Sequence, residues 1–322
     1  MALLIREDDV RRAIEMGAVI EAVEAATREL GLDRAQNQPR RRVRQASAVL
    51  SVMSASYPAA AVSGLKSYTV SEGRARFLVV LYGPGGAPTA LIEADLMGAY
   101  RTGAATAVAA RRLAPGSRRV AVFGTGHQAR MQIRALARVL ALEQLAVFSR
   151  DAGRRQAFAA EIGAELGVPT FAADSGREAA EGAELVVAIT TSREPVLESS
   201  WIAPGALVVG AGSNLPAHAE IPPDLLGRCR LVAVDQVETA RLESGDLIRA
   251  AERGTFRWQD AVELGALLAA PSDPQLSTPD PAGRDLVLFE SHGLAIWDLA
   301  AGITVLARAR ELGLGEEVRL LD

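Results

Sequence analysis

Lysine is nearly absent from this chain. Of the 35 lysines and arginines in 322 residues, one is lysine, Lys66, which leaves 35 − 1 = 34 arginines. Cysteine is as scarce: Cys229 stands alone, which excludes an internal disulfide and fits a reducing compartment, the cytoplasm. Three histidines, His127, His218 and His292, argue against a His/Cys metal cage. Aromatic residues make up only 4%. No apolar run reaches the ~20 residues a membrane helix needs, so no membrane partner is expected. The start, "MALLIREDDVRRA", turns charged at once and does not read as a secretory signal. Positive charge is not in excess either: the net charge is −4 and the pI about 5.6. Arginine clusters such as "PRRRVR" are local, and no nucleic-acid partner is expected.

What is present is alanine, valine, leucine and glycine, in a chain 49% hydrophobic. That suits an α/β protein with a large core or two domains. "REDDVRRAIEMGAVIEAVEAATREL" has helical apolar spacing and ends at Gly31. "ASAVLSVMSA", "VSGLKSYTV", "ARFLVVLYGP" and "APTALIEA" follow as strands. The turn signals "EGR" and "GPGGAP" separate them, and an antiparallel sheet is predicted. "ADLMGAYRTGAATAVAARRLA" is a second helix, and "APGSRR" marks a boundary near Gly116. Beyond it strands and helices alternate: "RRVAVFG", "EQLAVFS", "PTFAA", "AELVVAITT", "GALVVGAG", "CRLVAVDQ" and "RDLVLFESHG" are buried strands. Such alternation predicts a doubly wound parallel sheet of Rossmann type. "LLAAPSDPQLSTPDPAG" reads as a Pro-rich loop, and "GLAIWDLAAGITVLARAREL" as a closing apolar helix.

"VAVFGTGHQA" places G-x-G-x-x-A between a strand and a helix. Gly124 permits the tight turn, Gly126 lets the backbone approach a pyrophosphate, and Ala129 allows close helix–sheet packing. The segment Gly124–Thr125–Gly126–His127–Gln128–Ala129 is therefore a candidate dinucleotide cradle, with the helix N-terminus facing the phosphates. NAD enzymes usually place an acid at the end of the next strand, on the ribose 2′-hydroxyl. Here that strand ends "VFSRDAGRR": Ser149 and Arg150 occupy the place, with Arg154 and Arg155 behind them. A hydroxyl and guanidinium groups suit a 2′-phosphate, which predicts NADP(H) over NAD(H).

Lys66 is singled out by rarity. Arginine stays charged, whereas a buried lysine shifts its pKa and can act as acid or base. A drift toward arginine removes lysines that only carry charge. The one that stays is a candidate catalytic residue.

Several segments now stand together in one order: "VMSA" ahead of the lysine, "GLKSYTV", "YRTGAATAVAARRLA", "VAVFGTGHQARMQ", "AITTSREPVL", "WIAPGALVVGAGSN", "ESGDLI" and "LFESHGLAIWDLAAG". In these the chain resembles the ornithine cyclodeaminase/μ-crystallin family over nearly its whole length. The resemblance implies a homodimer. Residues 1–116 and 293–322 would form an α+β substrate and dimerisation domain, and 117–292 the NAD(P)-binding Rossmann domain. It matches Lys66 to the family's active-site lysine. It matches Arg101 to an arginine that holds the substrate carboxylate, and Thr102 to a threonine at the nicotinamide end. Arg42 best matches a second carboxylate-binding arginine, with Arg40, Arg41 and Arg44 as neighbours in the same run. Thr190, in "AITTS", joins the cofactor residues. One departure is visible: where cyclodeaminases carry the aspartate of a Glu-Leu-Asp segment, "HAEIPPDLL" has Pro222, with His218, Glu220 and Asp224 nearby.

The family's shared chemistry is hydride exchange between a nicotinamide and the α-carbon of an amino or imino acid. With the aspartate missing, the first expectation is a reductase of 2-imino acids. Cyclic ones such as Δ1-pyrroline-2-carboxylate or Δ1-piperideine-2-carboxylate come first, or reductive amination of the alanine-dehydrogenase kind. Ornithine cyclodeamination is the runner-up. A non-catalytic, NADPH-binding crystallin-like protein is the third.

Overall fold

The structure is a computed structural model that describes residues 1–270, 280 and 282–320. Most of the Pro-rich segment after Ala270 lies outside the described residues. The chain divides into two compact units: Met1–Ala105 with Gly293–Asp322, and Thr106–His292. The division falls inside the helix α3 (Asp95–Leu113), ahead of the Gly116 boundary read from the sequence. The loop at Gly116 ends the helix, but a helix can run through a division of contacts without any break in its sequence pattern.

The first unit is built on a mixed sheet. Its strands are β1 (Ala2–Ile5), β2 (Gln36–Asn37), β3 (Arg41–Gln45), β4 (Ala48–Tyr57), β5 (Val62–Ser71), β6 (Arg74–Tyr82), β7 (Pro88–Glu93) and, from the chain's end, β16 (Glu316–Val318). They lie in the order β16-β1-β7-β6-β5-β4-β2, with β3 also paired to β4. The antiparallel prediction holds for β4 through β7, but β1 runs parallel to β7. The predicted first helix is two, α1 (Glu7–Ala13) and α2 (Met16–Gly31), separated by the extended residues Ile14 and Glu15. Apolar spacing continues through the break, from Val10 and Ala13 to Met16 and Val19, so the pattern alone does not reveal it.

The sheet's two faces differ, as alternation requires. Met53, Gly64, Lys66, Val79, Leu81 and Ile92 point to the buried face, which the last helix, α11 (Ala295–Leu312), covers; α2 packs against α11. Trp297 of α11 is fully buried and donates its indole N–H to the Thr27 hydroxyl at 2.8 Å. The other face carries Leu50, Val52, Leu65, Leu78, Val80 and Leu91, all partly exposed.

The second unit is the doubly wound one. Its strands are β8 (Arg119–Phe123), β9 (Gln144–Phe148), β10 (Thr170–Ala172), β11 (Leu185–Ala188), β12 (Leu207–Gly210), β13 (Cys229–Val234), β14 (Ala261–Glu263) and β15 (Leu286–Glu290). Their order is β10-β9-β8-β11-β12-β15-β13-β14, every pair parallel. The runs "VAVF", "LVVA", "LVVG" and "LVLF" are apolar without alternation because both faces are buried. Connecting helices include α4 (His127–Val139), α5 (Ala152–Leu166), α6 (Gly176–Ala180), α7 (Pro223–Leu226), α8 (Val237–Glu243), α9 (Gly245–Glu252) and α10 (Leu264–Ala269). From β8 the chain winds one way to β9 and β10, then the other way from β11. That switch point opens a crevice beyond the C-terminal ends of β8 and β11, where such sheets bind ligands. Cys229 lies buried within this unit, and desolvation pushes its thiol up to about 12, so it is chemically quiet.

Candidate functional site

The crevice of the second unit holds a cavity of about 630 Å³. Gly124, Thr125, Gly126, His127, Gln128, Ser149, Arg150 and Thr190 line it, eight of the residues read as cofactor-binding from the sequence. Gly124 has φ +129°, and a Cβ there would lie 2.4 Å from the Ile189 carbonyl oxygen, so glycine is required. At Gly126 a Cβ would meet nothing within 4 Å. The space it leaves opens on the start of α4, where no side chain caps the helix. The free N–H groups and the helix dipole suit a pyrophosphate. The residues therefore fit a dinucleotide. Ala129 is buried behind the turn and does not line the cavity.

At the ribose end, Ser149 and the exposed Arg150 line the cavity. Asp151 caps α5: its carboxylate accepts from the Arg154 backbone N–H at 2.9 Å. Arg154 is exposed, pairs with Asp151 at 3.5 Å, and does not reach the cavity. Arg155 is buried and held by Asp174 at 2.9 Å.

The first unit gathers charge. Lys66, on β5, is 2% exposed, and its Nζ donates to Asp298 Oδ1 at 2.7 Å. Arg101, on α3, donates its Nε to the same oxygen at 3.1 Å. Gly98, one helical turn before, leaves the room: a Cβ there would stand 3.2 Å from Lys66 Nζ. The ammonium also lies 4.9 Å from the Phe77 ring centroid. Thr102 follows Arg101 on the helix, half-buried, its hydroxyl donating to the Gly98 carbonyl at 2.8 Å.

The second arginine beside Lys66 is Arg40, not the Arg42 matched from the sequence. The β3–β4 hairpin turns on Ala46 and Ser47, since Gln45 pairs with Ala48. That register sets Arg42 opposite Ser51 and Arg41 opposite Val52, so Arg40 comes level with Met53, the partner of Lys66. Arg40 is buried, stacks 5.9 Å from the Tyr68 ring centroid and acts electrostatically on Lys66. Arg42 is half-buried further along the same face. Residue count cannot resolve two positions in one run of arginines, because the hairpin sets the register.

Asp298 is the residue the sequence reading missed. It was legible as the one acid in the first turns of an apolar helix, "GLAIWDLAAG", where a buried carboxylate needs a cation. Burial pushes its pKa up, but Arg101 and Lys66 outweigh burial and hold it below the usual carboxylate value. Lys66 is lowered from 10.5 to about 8. Desolvation is the main cause; Asp298 opposes it, and Arg101 and Arg40 add to it. Asp298 Oδ1 is thus shared between Lys66 and Arg101. Asp298 Oδ2 is buried without a hydrogen-bond partner, an acceptor left for a donor.

Of the groups around the missing cyclodeaminase aspartate, Pro222 precedes α7, Asp224 is exposed and His218 half-buried. Glu220 is buried, with both carboxylate oxygens bonded to backbone N–H groups.

Residues 2–313 match the sequence profile of the ornithine cyclodeaminase/mu-crystallin family. The chain belongs to this family. Its relatives include the iminosuccinate reductase of Paracoccus denitrificans, 27% identical over 99% of this chain and 100% of that one. The Δ1-pyrroline-2-carboxylate reductase of Thermococcus litoralis, solved with NADH and L-proline, superposes with a TM-score of 0.88. It shows 28% identity over 98% of this chain and 100% of that one. An archaeal alanine dehydrogenase dimer with bound NAD gives a TM-score of 0.90 at 25% identity, covering 99% of each chain.

The charge balance gives a stability test. Asp298→Asn leaves Lys66 and Arg101 buried with no counter-ion. A loss of about 3–5 kcal/mol in urea unfolding near pH 7 is expected. A smaller loss at pH 10, where Lys66 is already neutral in the folded protein, completes the expectation; equal stability to wild type at pH 7 contradicts it.

Proposed function

We propose that the protein is a nicotinamide-dependent reductase of 2-imino acids, cyclic ones such as Δ1-pyrroline-2-carboxylate first. The observation that carries this is Lys66: the only lysine, buried, bonded to Asp298 and titrating near 8. A general acid works best with a pKa close to the working pH. Arg101 and Arg40 hold the substrate carboxylate. Asp298 orients the Lys66 ammonium and offers Oδ2 to the N–H that forms once the substrate nitrogen takes a proton. Lys66 gives its proton to the imine nitrogen as the carbon becomes tetrahedral. A nicotinamide bound in the second unit would supply the hydride. Thr102 is assigned to the nicotinamide end. The named reductases among the relatives support this choice, as does Pro222, which has no proton to exchange where a cyclodeaminase has aspartate.

NADP(H) is the proposed preference, with NAD(H) also accepted. Ser149 and Arg150 line the ribose end of the cavity, and Asp151 is engaged at the helix cap. The solved relatives described above hold NADH and NAD, so the proposal rests on the ribose end of this chain's own cavity. The protein is proposed to work as a homodimer through the open sheet face of the first unit. Leu50, Val52, Leu65, Leu78, Val80 and Leu91 form an apolar surface there that a second copy would cover. A buried, unpaired Cys229 suits the cytoplasm.

Three outcomes are expected. First, the protein oxidises NADPH with Δ1-pyrroline-2-carboxylate and releases little ammonia from L-ornithine. Lys66→Arg keeps cofactor binding yet loses roughly 10²–10⁴-fold in kcat. Robust ornithine deamination, or a Lys66→Arg variant with normal kcat, contradicts the proposal. Second, calorimetry gives tighter binding of NADPH than NADH, and Arg150→Ala narrows the gap; equal affinities in the wild type refute the preference. Third, light scattering gives twice the chain mass of 33.9 kDa, and Val80→Glu shifts the protein toward the mass of a single chain.

A further inference from the structure

Beneath the cofactor cavity lies a carboxylate that the reaction does not use. Glu220 is 1% exposed. Its Oε1 accepts the backbone N–H of Thr190 at 2.5 Å, and its Oε2 accepts that of Gly212 at 2.7 Å. Thr190 follows β11 and Gly212 follows β12, and both line the cavity. One side chain therefore ties together the two loops on one side of the crevice. Gly212 packs so closely on Glu220 and on Thr190 that no side chain fits there. Glu220 is itself fixed: its N–H donates to Asp246 Oδ1 at 2.7 Å, and its carbonyl accepts from the Val196 N–H at 2.9 Å.

We propose that Glu220 is a positioning residue of the dinucleotide site, whose ionised carboxylate clamps the loops after β11 and β12 in the shape that binds the cofactor. The proposal rests on the dinucleotide reading of this cavity. A carboxylate can accept from both N–H groups at once. A protonated carboxyl turns one O–H toward an N–H and loses one of the two bonds. The clamp therefore works only while Glu220 is charged.

Its surroundings make that charge conditional. Burial lifts Glu220 from 4.5 to about 7 against the pull of the Thr190 and Gly212 hydrogen bonds, and Asp246 adds to the rise. Asp246, on α9, is raised by its own burial. Glu290, at the end of β15, is raised well above its usual value by burial and by Asp246 and Glu220. His292 stands 3.6 Å from both Glu290 and Asp235. Arg249, on α9, pairs with Glu194 at 3.2 Å and draws Asp246 down. A charged Asp246 makes Glu220 harder to ionise. Glu220 is therefore held near its midpoint at neutral pH.

The test is the affinity of the apoenzyme for NADH, a probe with no 2′-phosphate to titrate, followed by its fluorescence between pH 6 and 8. Binding is expected to weaken roughly tenfold from pH 8 to pH 6, as the charged fraction of a group titrating near 7 falls. Glu220→Gln, which offers one acceptor oxygen, is expected to bind at pH 8 as the wild type does at pH 6, with no further pH dependence. Glu220→Asp keeps the charge on a shorter arm and is expected to bind more weakly but retain the slope. A wild-type affinity that stays flat between pH 6 and 8 overturns the proposal, whatever the variants' folding. So does a Gln variant that binds like wild type at pH 8. Absence of NADH binding at every pH removes the dinucleotide reading, and this proposal with it.

Discussion

One carboxylate, Asp298, lets the first unit hold Lys66 and Arg101 away from water beside the buried Arg40. An ammonium and two guanidinium groups at this depth repel one another, and each has lost its hydration. Asp298 answers two of them with a single oxygen, at 2.7 and 3.1 Å. It does not offset the desolvation of the ammonium, and Lys66 is left near 8 rather than at 10.5. The proposed substrate carboxylate would sit beside the same two arginines. Burial is the main cause of the acidity, and the two arginines placed to recognise a carboxylate add to it. The lowered pKa of Lys66 also affects stability. The unfolded lysine binds its proton up to about 10.5. Stability from this group is therefore fully present above that value and is lost as pH falls through about 8.

The two units solve opposite problems. The second makes its cradle from what is missing: no Cβ at Gly124 and Gly126, no cap on α4, and bare N–H groups facing the space. The first uses full charges on long side chains, fixed by a helix from the far end of the chain. Glu220 links stability and binding with opposite signs. Its pKa in the folded protein lies above 4.5. Its contribution to stability is therefore full below 4.5 and lost as pH rises through about 7, while the clamp proposed for it forms over that same rise.

The dinucleotide turn was legible because its requirements are local: two glycines, a small residue, a strand before and a helix after. The buried strands of the second unit were legible as unbroken apolar runs, and Lys66 stood out by rarity. What stayed hidden depends on long-range geometry. Asp298 is 232 residues from Lys66, and only folding sets α11 against β5. Arg40 and Arg42 differ by one step of a strand, which the hairpin at Ala46 and Ser47 resolves. The gap between α1 and α2 keeps the apolar spacing on both sides. The role of Glu220 depends on backbone N–H groups of two separate loops, which leave no mark in side-chain chemistry.

A single lysine makes the central claim directly measurable. Protein labelled with ¹³C at lysine Cε gives one side-chain resonance, that of Lys66, and its shift followed from pH 6 to 11 reports one titration. A midpoint near 8 is expected, moving upward when a carboxylate ligand such as L-proline is bound among the arginines. A midpoint at about 10.5, unmoved by the ligand, would contradict a lysine buried as a proton donor and return it to the role of a plain charge.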